Sequence, residues 1–262
     1  MASNRKSVVL LGKGTLAIQI ADWFCRSDDY QLRCVVPVIP EPSWTDSLSA
    51  WCRDRDVPLI ESGDYEDVPN ARSSSWNVSL AFSVFYSRII PPWFIERCGC
   101  ALNLHNAPLP RYRGCNPINW ALKNGETTHG VTIHELTSRV DAGPIVSQAR
   151  FAIDPRSDEV ADVYERSLSI GFTLFERTVS VLDRLAPRPQ DETQATYYRR
   201  SDAKRLGDRS GFTRAESDLD GDSTMIRAAP YAMTNGVNRL APIRLRHLPE
   251  AQAAFARERA AG

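Results

Sequence analysis

The chain has 262 residues and a mass of 29.3 kDa, a length for one large domain or one domain with an appendage. Its composition, 42% hydrophobic and 24% charged, is that of a soluble globular protein able to bury a core. Lys plus Arg number 32 and Asp plus Glu number 32, a balance that argues against a surface built for nucleic acid or anionic membrane, since both reward a basic excess.

No run approaches the roughly 20 apolar residues of a membrane span. Arg5 and Lys6 precede the apolar stretch 8–11, but about four residues are too few for a signal-peptide core. The six cysteines (Cys25, Cys34, Cys52, Cys98, Cys100, Cys115) show no C-x-x-C pairing and no His at zinc-ligand spacing. They read as reduced thiols of a cytoplasmic protein, with neither disulfides nor a metal expected.

Ser7-Val-Val-Leu-Leu11 is a continuous apolar run closed by Gly12, the pattern of a strand buried on both faces. Residues 15–26 carry Leu16, Ile20, Trp23 and Phe24 at helical spacing, and 32–38 read as a second strand. A helix around 44–53 and a short strand at 57–60 extend the alternation. Residues 78–82 form the next buried strand, and a helix begins over 92–97 with Pro92 in its first turn. Such alternation implies a doubly wound, mostly parallel α/β sheet. Residues 158–184 repeat Val160, Val163, Leu168, Phe172, Phe175, Val179 and Leu182 at a helical period. The pattern stops before Pro187-Arg-Pro-Gln190, which reads as a linker. The chain then turns polar, and 251–262 form an Ala-rich charged tail. Asp218-Leu-Asp220-Gly-Asp222 imitates a calcium loop, but its Gly is displaced and the twelfth position is Ala229 rather than Glu, so it reads as a solvated turn.

Gly12-Lys-Gly14-Thr-Leu-Ala17 fits the dinucleotide fingerprint G-x-G-x-x-A. The second strand, however, ends Cys34-Val-Val-Pro37, without the carboxylate that would hold a ribose. The turn therefore reads as the tight corner of a Rossmann-like fold. NAD is disfavoured, and a silent nucleotide-binding module stays a rival.

The chemistry-bearing segment runs Ala101-Leu-Asn-Leu-His-Asn-Ala-Pro-Leu-Pro-Arg-Tyr-Arg-Gly114. Leu102 and Leu104 alternate with Asn103 and His105, so on a strand both polar side chains share one face. Pro108, Pro110 and Gly114 then make residues 106–114 a rigid loop. An amide beside an imidazole at the carboxyl end of a parallel strand stands where open α/β sheets bind ligands. Asp141 comes later, in Arg139-Val-Asp-Ala-Gly143, between the apolar runs 130–133 and 144–146. Read alone, the pair also fits a satisfied buried His and an unrelated turn Asp.

Asn103-x-His105, the Leu109–Gly114 loop L-P-x-Y-R-G, Gly130-Val-Thr-Ile-His134 and Asp141-Ala-Gly-Pro-Ile145 together resemble the formyltransferases that use N10-formyltetrahydrofolate. That family includes methionyl-tRNA formyltransferase, the formyl-transferring domain of the lipid A aminoarabinose pathway, and sugar-nucleotide N-formyltransferases. The resemblance covers about residues 7–185 and continues weakly through 195–200 and 226–228. It implies a formyltransferase-type Rossmann-like fold over 1–190, with a short C-terminal extension over 191–262.

The resemblance puts the catalytic trio on Asn103, His105 and Asp141. Transfer from an amide-like donor to an amine passes through a tetrahedral oxyanion and moves a proton. Asn103 would donate to the oxyanion, a contribution of about 2.7–4 kcal/mol at comparable sites. His105 would take the amine proton and deliver it to the departing N10. Asp141 would orient the imidazole and favour its protonated form. No covalent intermediate is needed, so Cys115 reads as inert. By the same resemblance, the donor's pterin would lie against backbone groups of Ile89, Ile90 and Pro91 and of Thr137, Ser138, Arg139, Val140 and Asp141. The segment after the His departs from the family, with Asn106-Ala107 where many relatives have Pro or Gly followed by Ser, and Cys115 where some carry Arg.

The resemblance further implies a small amine acceptor, most readily a nucleotide-linked amino sugar, with no metal, no membrane partner and no nucleic acid, and it allows a homodimer. The tRNA enzymes carry a C-terminal five-stranded OB-type barrel. Here the final segment 238–262 holds one plausible strand, 240–248, and from Arg188 onward 13 Lys/Arg face 10 Asp/Glu, a weak excess for tRNA. Tyr112, Arg113, Tyr197, Tyr198 and Arg199, with Arg200, are candidates to stack on a base and pair with a diphosphate, although the last four fit equally well as residues that pack and solvate a linker. Alternatives are methionyl-tRNA, glycinamide ribonucleotide, hydroxyornithine or another biosynthetic amine as acceptor, and a formyltetrahydrofolate hydrolase, whose relatives begin with a regulatory domain where this chain starts its first strand by residue 7.

Overall fold

The computed structural model describes residues 5–206. The features expected at 218–222, 226–228, 240–248 and 251–262 lie outside the described residues. In chain order the elements are β1 (Lys6–Gly12), α1 (Gly14–Arg26), β2 (Tyr30–Pro37), α2 (Leu48–Asp54), β3 (Val78–Val84), α3 (Pro92–Ile95), β4 (Cys98–His105), β5 (Arg113–Gly114), α4 (Pro117–Lys123), β6 (Thr128–Glu135), β7 (Ile145–Ala152), α5 (Val160–Val179) and β8 (Tyr197–Tyr198). This is the mixed α/β class that the alternation implies. The chain divides into two compact units, one of residues 5–105 and 134–143, the other of 106–133 and 144–206.

The first unit is built on parallel strands in the order β2-β1-β3-β4. Residues 8–11 of β1 are wholly inaccessible, as a strand covered on both faces requires. Val9 and Leu11 join Val36, Ala81, Phe94 and Ala101 in one core cluster, while Val8 and Leu10 point to the opposite face by alternation. The register pairs Ser83 with Asn103 and Val84 with Leu104, so β3 and β4 end level with each other. In the second unit β6 neighbours β7, α5 packs on β7, and β5 pairs in parallel with β8.

Four elements differ from the sequence expectation. The helix expected at 44–53 starts at Leu48, behind the Ser47 cap whose Oγ accepts from Ala50 N at 3.0 Å, because Thr45 and Asp46 are engaged at the start of α1. The strand expected at 57–60 reduces to one bridge, Leu59 with Val35, since Pro58 has no N–H to extend a ladder. The long helix ends at Val179, and Ser180 Oγ donates to the Glu176 carbonyl. Val181 is exposed, so the periodicity past Val179 meets no core. The 187–190 stretch is tied down rather than free, because Arg188 and Ile145 exchange backbone hydrogen bonds of 2.7 and 2.8 Å.

All six cysteines are free. Burial pushes the Cys34 and Cys52 thiols up to about 12 and Cys98 up to about 11, leaving almost no thiolate at neutral pH. A chromogenic disulfide reagent should therefore modify exposed Cys25 in the folded protein and reach Cys34 and Cys52 only after denaturation. Equal rates at all three would contradict this burial.

Candidate active site

The carboxyl end of β4 presents Asn103 and His105 on one face, while Leu102 and Leu104 are wholly buried on the other. The polar pair thus emerges from a rigid strand. After β6 the chain turns back through residues 136–144. Thr137 Oγ1 donates to the Arg139 carbonyl at 3.0 Å and accepts from Arg139 N at 3.3 Å, and Ala142 N donates to that same carbonyl. The turn carries Asp141 at φ 51°, a left-handed conformation that Asp tolerates better than most residues.

The turn brings Asp141 to the strand end. Its Oδ2 lies 3.5 Å from His105 Nδ1, and its Oδ1 lies 3.5 Å from Asn103 Nδ2. The strand pair and Asp141, 38 residues beyond Asn103, therefore meet within one unit. A proton on Nδ1, facing the carboxylate, leaves Nε2 as the basic end of the His105 ring. These separations are long for hydrogen bonds, as is common before substrate closes a site.

A fourth side chain joins them, one to which the sequence motifs assign no role. His134, 1% exposed, holds Nε2 3.1 Å from Asn103 Nδ2 and 3.5 Å from Asp141 Oδ1, and its Nδ1 lies 2.8 Å from the Glu135 carbonyl oxygen. The signal is present in the alternation of β6. Val131 and Ile133 are apolar and buried, which sets Thr132 and His134 on the opposite face by the rule that pairs Asn103 with His105.

The segments expected to hold a pterin also belong to the first unit. Beyond β3, Ile89 is 74% exposed and Ile90 is buried. The Pro91 carbonyl accepts from Phe94 N and Ile95 N to start α3, and Pro has no N–H. Backbone N–H donation from this trio thus falls to Ile89 and Ile90. Thr137, Ser138, Arg139 and Val140 lie exposed along the turn. Two exposed apolar side chains, Ile89 and Val140, suit the cover of a flat ring.

The Gly12–Ala17 corner is occupied from within. Thr15 N donates to Thr45 Oγ1 at 3.3 Å, and Thr15 Oγ1 donates to Asp46 at 2.6 Å. A Cβ on Gly14, at φ 73°, would fall 2.5 Å from Thr45 Oγ1. A hydroxyl and a carboxylate thus sit at the amide end of α1, where a dinucleotide's phosphates would otherwise bind.

The candidate acceptor residues lie in the second unit. Tyr112, 2% exposed, donates its hydroxyl to Glu126 at 2.6 Å, and burial and that carboxylate push its ionisation well above the usual tyrosine range. Arg113, 4% exposed, spends its guanidinium on Gln190 (2.7 and 3.0 Å) and Glu192 (3.0 and 3.1 Å). Tyr198 stacks on Trp120 and Tyr112, with ring centroids 4.3 and 5.8 Å apart. Tyr197 and Arg199 are exposed. Three of the five, Tyr112, Arg113 and Tyr198, are therefore committed to internal partners. Arg113→Met should lower stability by about 1 kcal/mol, because it removes the hydrogen bonds to the half-buried Gln190 amide, while the Glu192 carboxylate, 52% exposed, turns to water. A melting temperature equal to that of the parent would show the clamp to be idle.

The loop after His105 is pinned by side chains of the second unit. His129 Nε2 donates to the Asn106 carbonyl (3.0 Å), Thr132 Oγ1 donates to the Ala107 carbonyl (2.7 Å) and accepts from Leu109 N (3.2 Å), and Gln148 Nε2 donates to the Leu109 carbonyl (2.8 Å). This buried polar network answers the expectation of a rigid loop.

A parallel α/β fold that gathers an amide, imidazoles and a carboxylate at a strand's carboxyl end is laid out for group transfer by acid–base and oxyanion chemistry. Residues 58–179 match the formyl transferase family. The matched segment, 122 of the 262 residues, runs from before β3 to the end of α5 and, with the fold, marks an enzyme of the formyltransferase kind. Among solved structures it is similar to an N-formyltransferase from Helicobacter canadensis in complex with folinic acid and dTDP-3-aminofucose (23% identity, 76% of this chain and 72% of that one, TM-score 0.63). It is also similar to a formyltransferase from Anoxybacillus kamchatkensis in complex with UDP-4,6-dideoxy-4-formamido-L-AltNAc and tetrahydrofolate (23%, 84% and 95%, 0.54), and to glycinamide ribonucleotide transformylase 1 from Symbiobacterium toebii (23%, 71% and 94%, 0.56). At these identities the likeness is one of fold. Among the described residues no helix is long and apolar enough to cross a membrane, and no group of three or more His, Cys, Asp or Glu is placed to hold a metal ion.

Proposed function

We propose that the chain transfers a formyl group from N10-formyltetrahydrofolate to a primary amine, and that the acceptor is a nucleotide-linked amino sugar. The observation that carries the reaction class is the meeting of Asn103, His105 and Asp141 within 3.5 Å at the end of β4. When bound, the folate supplies an activated formyl carbon. His105, oriented by Asp141, takes the amine's proton and passes it toward the leaving nitrogen. Asn103 offers an amide hydrogen to the formyl oxygen as it gains charge. Ile89, Ile90 and residues 137–141 would hold the pterin by backbone groups and apolar cover.

Two of the three neighbours described carry nucleotide-linked sugars, which supports the sugar acceptor. The third, a transformylase of glycinamide ribonucleotide, keeps another small amine as the second reading. The occupied Gly12–Ala17 corner speaks against the rival nucleotide-binding module. The test is folate release from the formyl donor, with and without candidate amines. Turnover that requires a 3- or 4-amino nucleotide sugar is the expected result. Release without any amine would indicate a hydrolase, and efficient formylation of methionyl-tRNA alone would overturn the acceptor while leaving the reaction standing.

A further inference from the structure

Asn103 has two ends of fixed and opposite chemistry, an NH2 that only donates and an oxygen that only accepts. Which end faces the reacting oxygen decides whether the residue helps or repels. The ring beside it fixes this. His134 Nδ1 stands 2.8 Å from the Glu135 carbonyl oxygen, an atom that can only accept, so Nδ1 carries the proton. In the neutral ring Nε2 is then a bare acceptor, and it faces Asn103 Nδ2 at 3.1 Å. Turning the amide over would set two lone pairs against each other in a place only 1% exposed, where water cannot relieve the clash. Nδ2 is also 3.5 Å from Asp141 Oδ1, a looser contact that engages its second hydrogen only weakly.

We propose that His134 is a positioning residue for Asn103. It anchors one amide hydrogen on Nε2, and the second remains free to swing from Asp141 to the formyl oxygen. The proposal rests on the reading of Asn103 as the oxyanion donor, and it adds the group that sets which way that donor points.

Two measurements test it. Long-range 1H–15N spectra of the folded protein labelled on histidine nitrogens should show His134 protonated on Nδ1 and bare on Nε2 at neutral pH. A proton on Nε2 overturns the proposal, whether or not the protein transfers formyl groups. The second is a double-mutant cycle on turnover. His134→Leu should lower kcat by about 10²-fold, the order expected when an oxyanion donor is lost, with KM for donor and acceptor little changed. The same substitution in an Asn103→Ala background should cost almost nothing more. Independent, additive losses would overturn the proposal, because a residue supporting the fold alone weakens both backgrounds equally.

Discussion

Replacing His105 by Ala should lower kcat for formyl transfer by about 10²–10⁴-fold, the range over which a positioned general acid–base contributes, while the protein still folds. His105 is 8% exposed at the end of β4, and the strand on which it sits is held by Leu102 and Leu104, not by the imidazole. Asp141→Asn keeps the shape of the side chain and removes its charge. It should lose activity on the same scale, because the ring then has no carboxylate to accept from Nδ1 and orient it. The two losses should not add, since both act on one proton transfer. Product formation under saturating donor and acceptor, with circular dichroism as the folding control, checks both single variants and the double. Full activity in either single variant would remove that residue from the mechanism.

The parts of this molecule that were legible in the sequence are those set by short periods. The buried run 8–11 and the alternation around Asn103 and His105 follow from a two-residue repeat, and the structure places both as read. Helix ends were less legible, because α5 stops where the core stops rather than where apolar residues do. The meeting of Asp141 with His105 was invisible to periodicity. It depends on a return of the chain through the 136–144 turn, and only the resemblance to a family supplied it. His134 stands within a motif yet carries no task there, because its value lies in which atom of its ring faces Asn103, and that is a matter of ångströms. Arg113 shows the converse. Its partners Gln190 and Glu192 stand 77 and 79 residues away in sequence, so nothing near Y-R-G reveals that its guanidinium is already engaged.

The position that joins the turn to the site is Gly143. A Cβ there would lie 2.8 Å from the Glu135 carbonyl carbon, nearer still to its oxygen, and 3.1 Å from Thr137 Cγ2. The first obstacle is backbone and cannot rotate away. It is also the carbonyl that accepts from His134 Nδ1, so one oxygen is packed by the turn on one side and fixes the His134 ring on the other. Gly143→Ala must therefore push the turn off the end of β6. Asp141, two residues upstream and held at φ 51°, moves with it. A displacement of about 1 Å in a catalytic group costs about 10²-fold in rate. We expect kcat to fall by that order, with a modest drop in melting temperature and the fold intact. The His134 ring nitrogens, observed in the same long-range 1H–15N spectrum, should shift, since their carbonyl partner is disturbed. A Gly143→Ala protein with parental kcat and an unchanged His134 spectrum would mean that the turn can move without moving Asp141, and that the glycine serves neither residue.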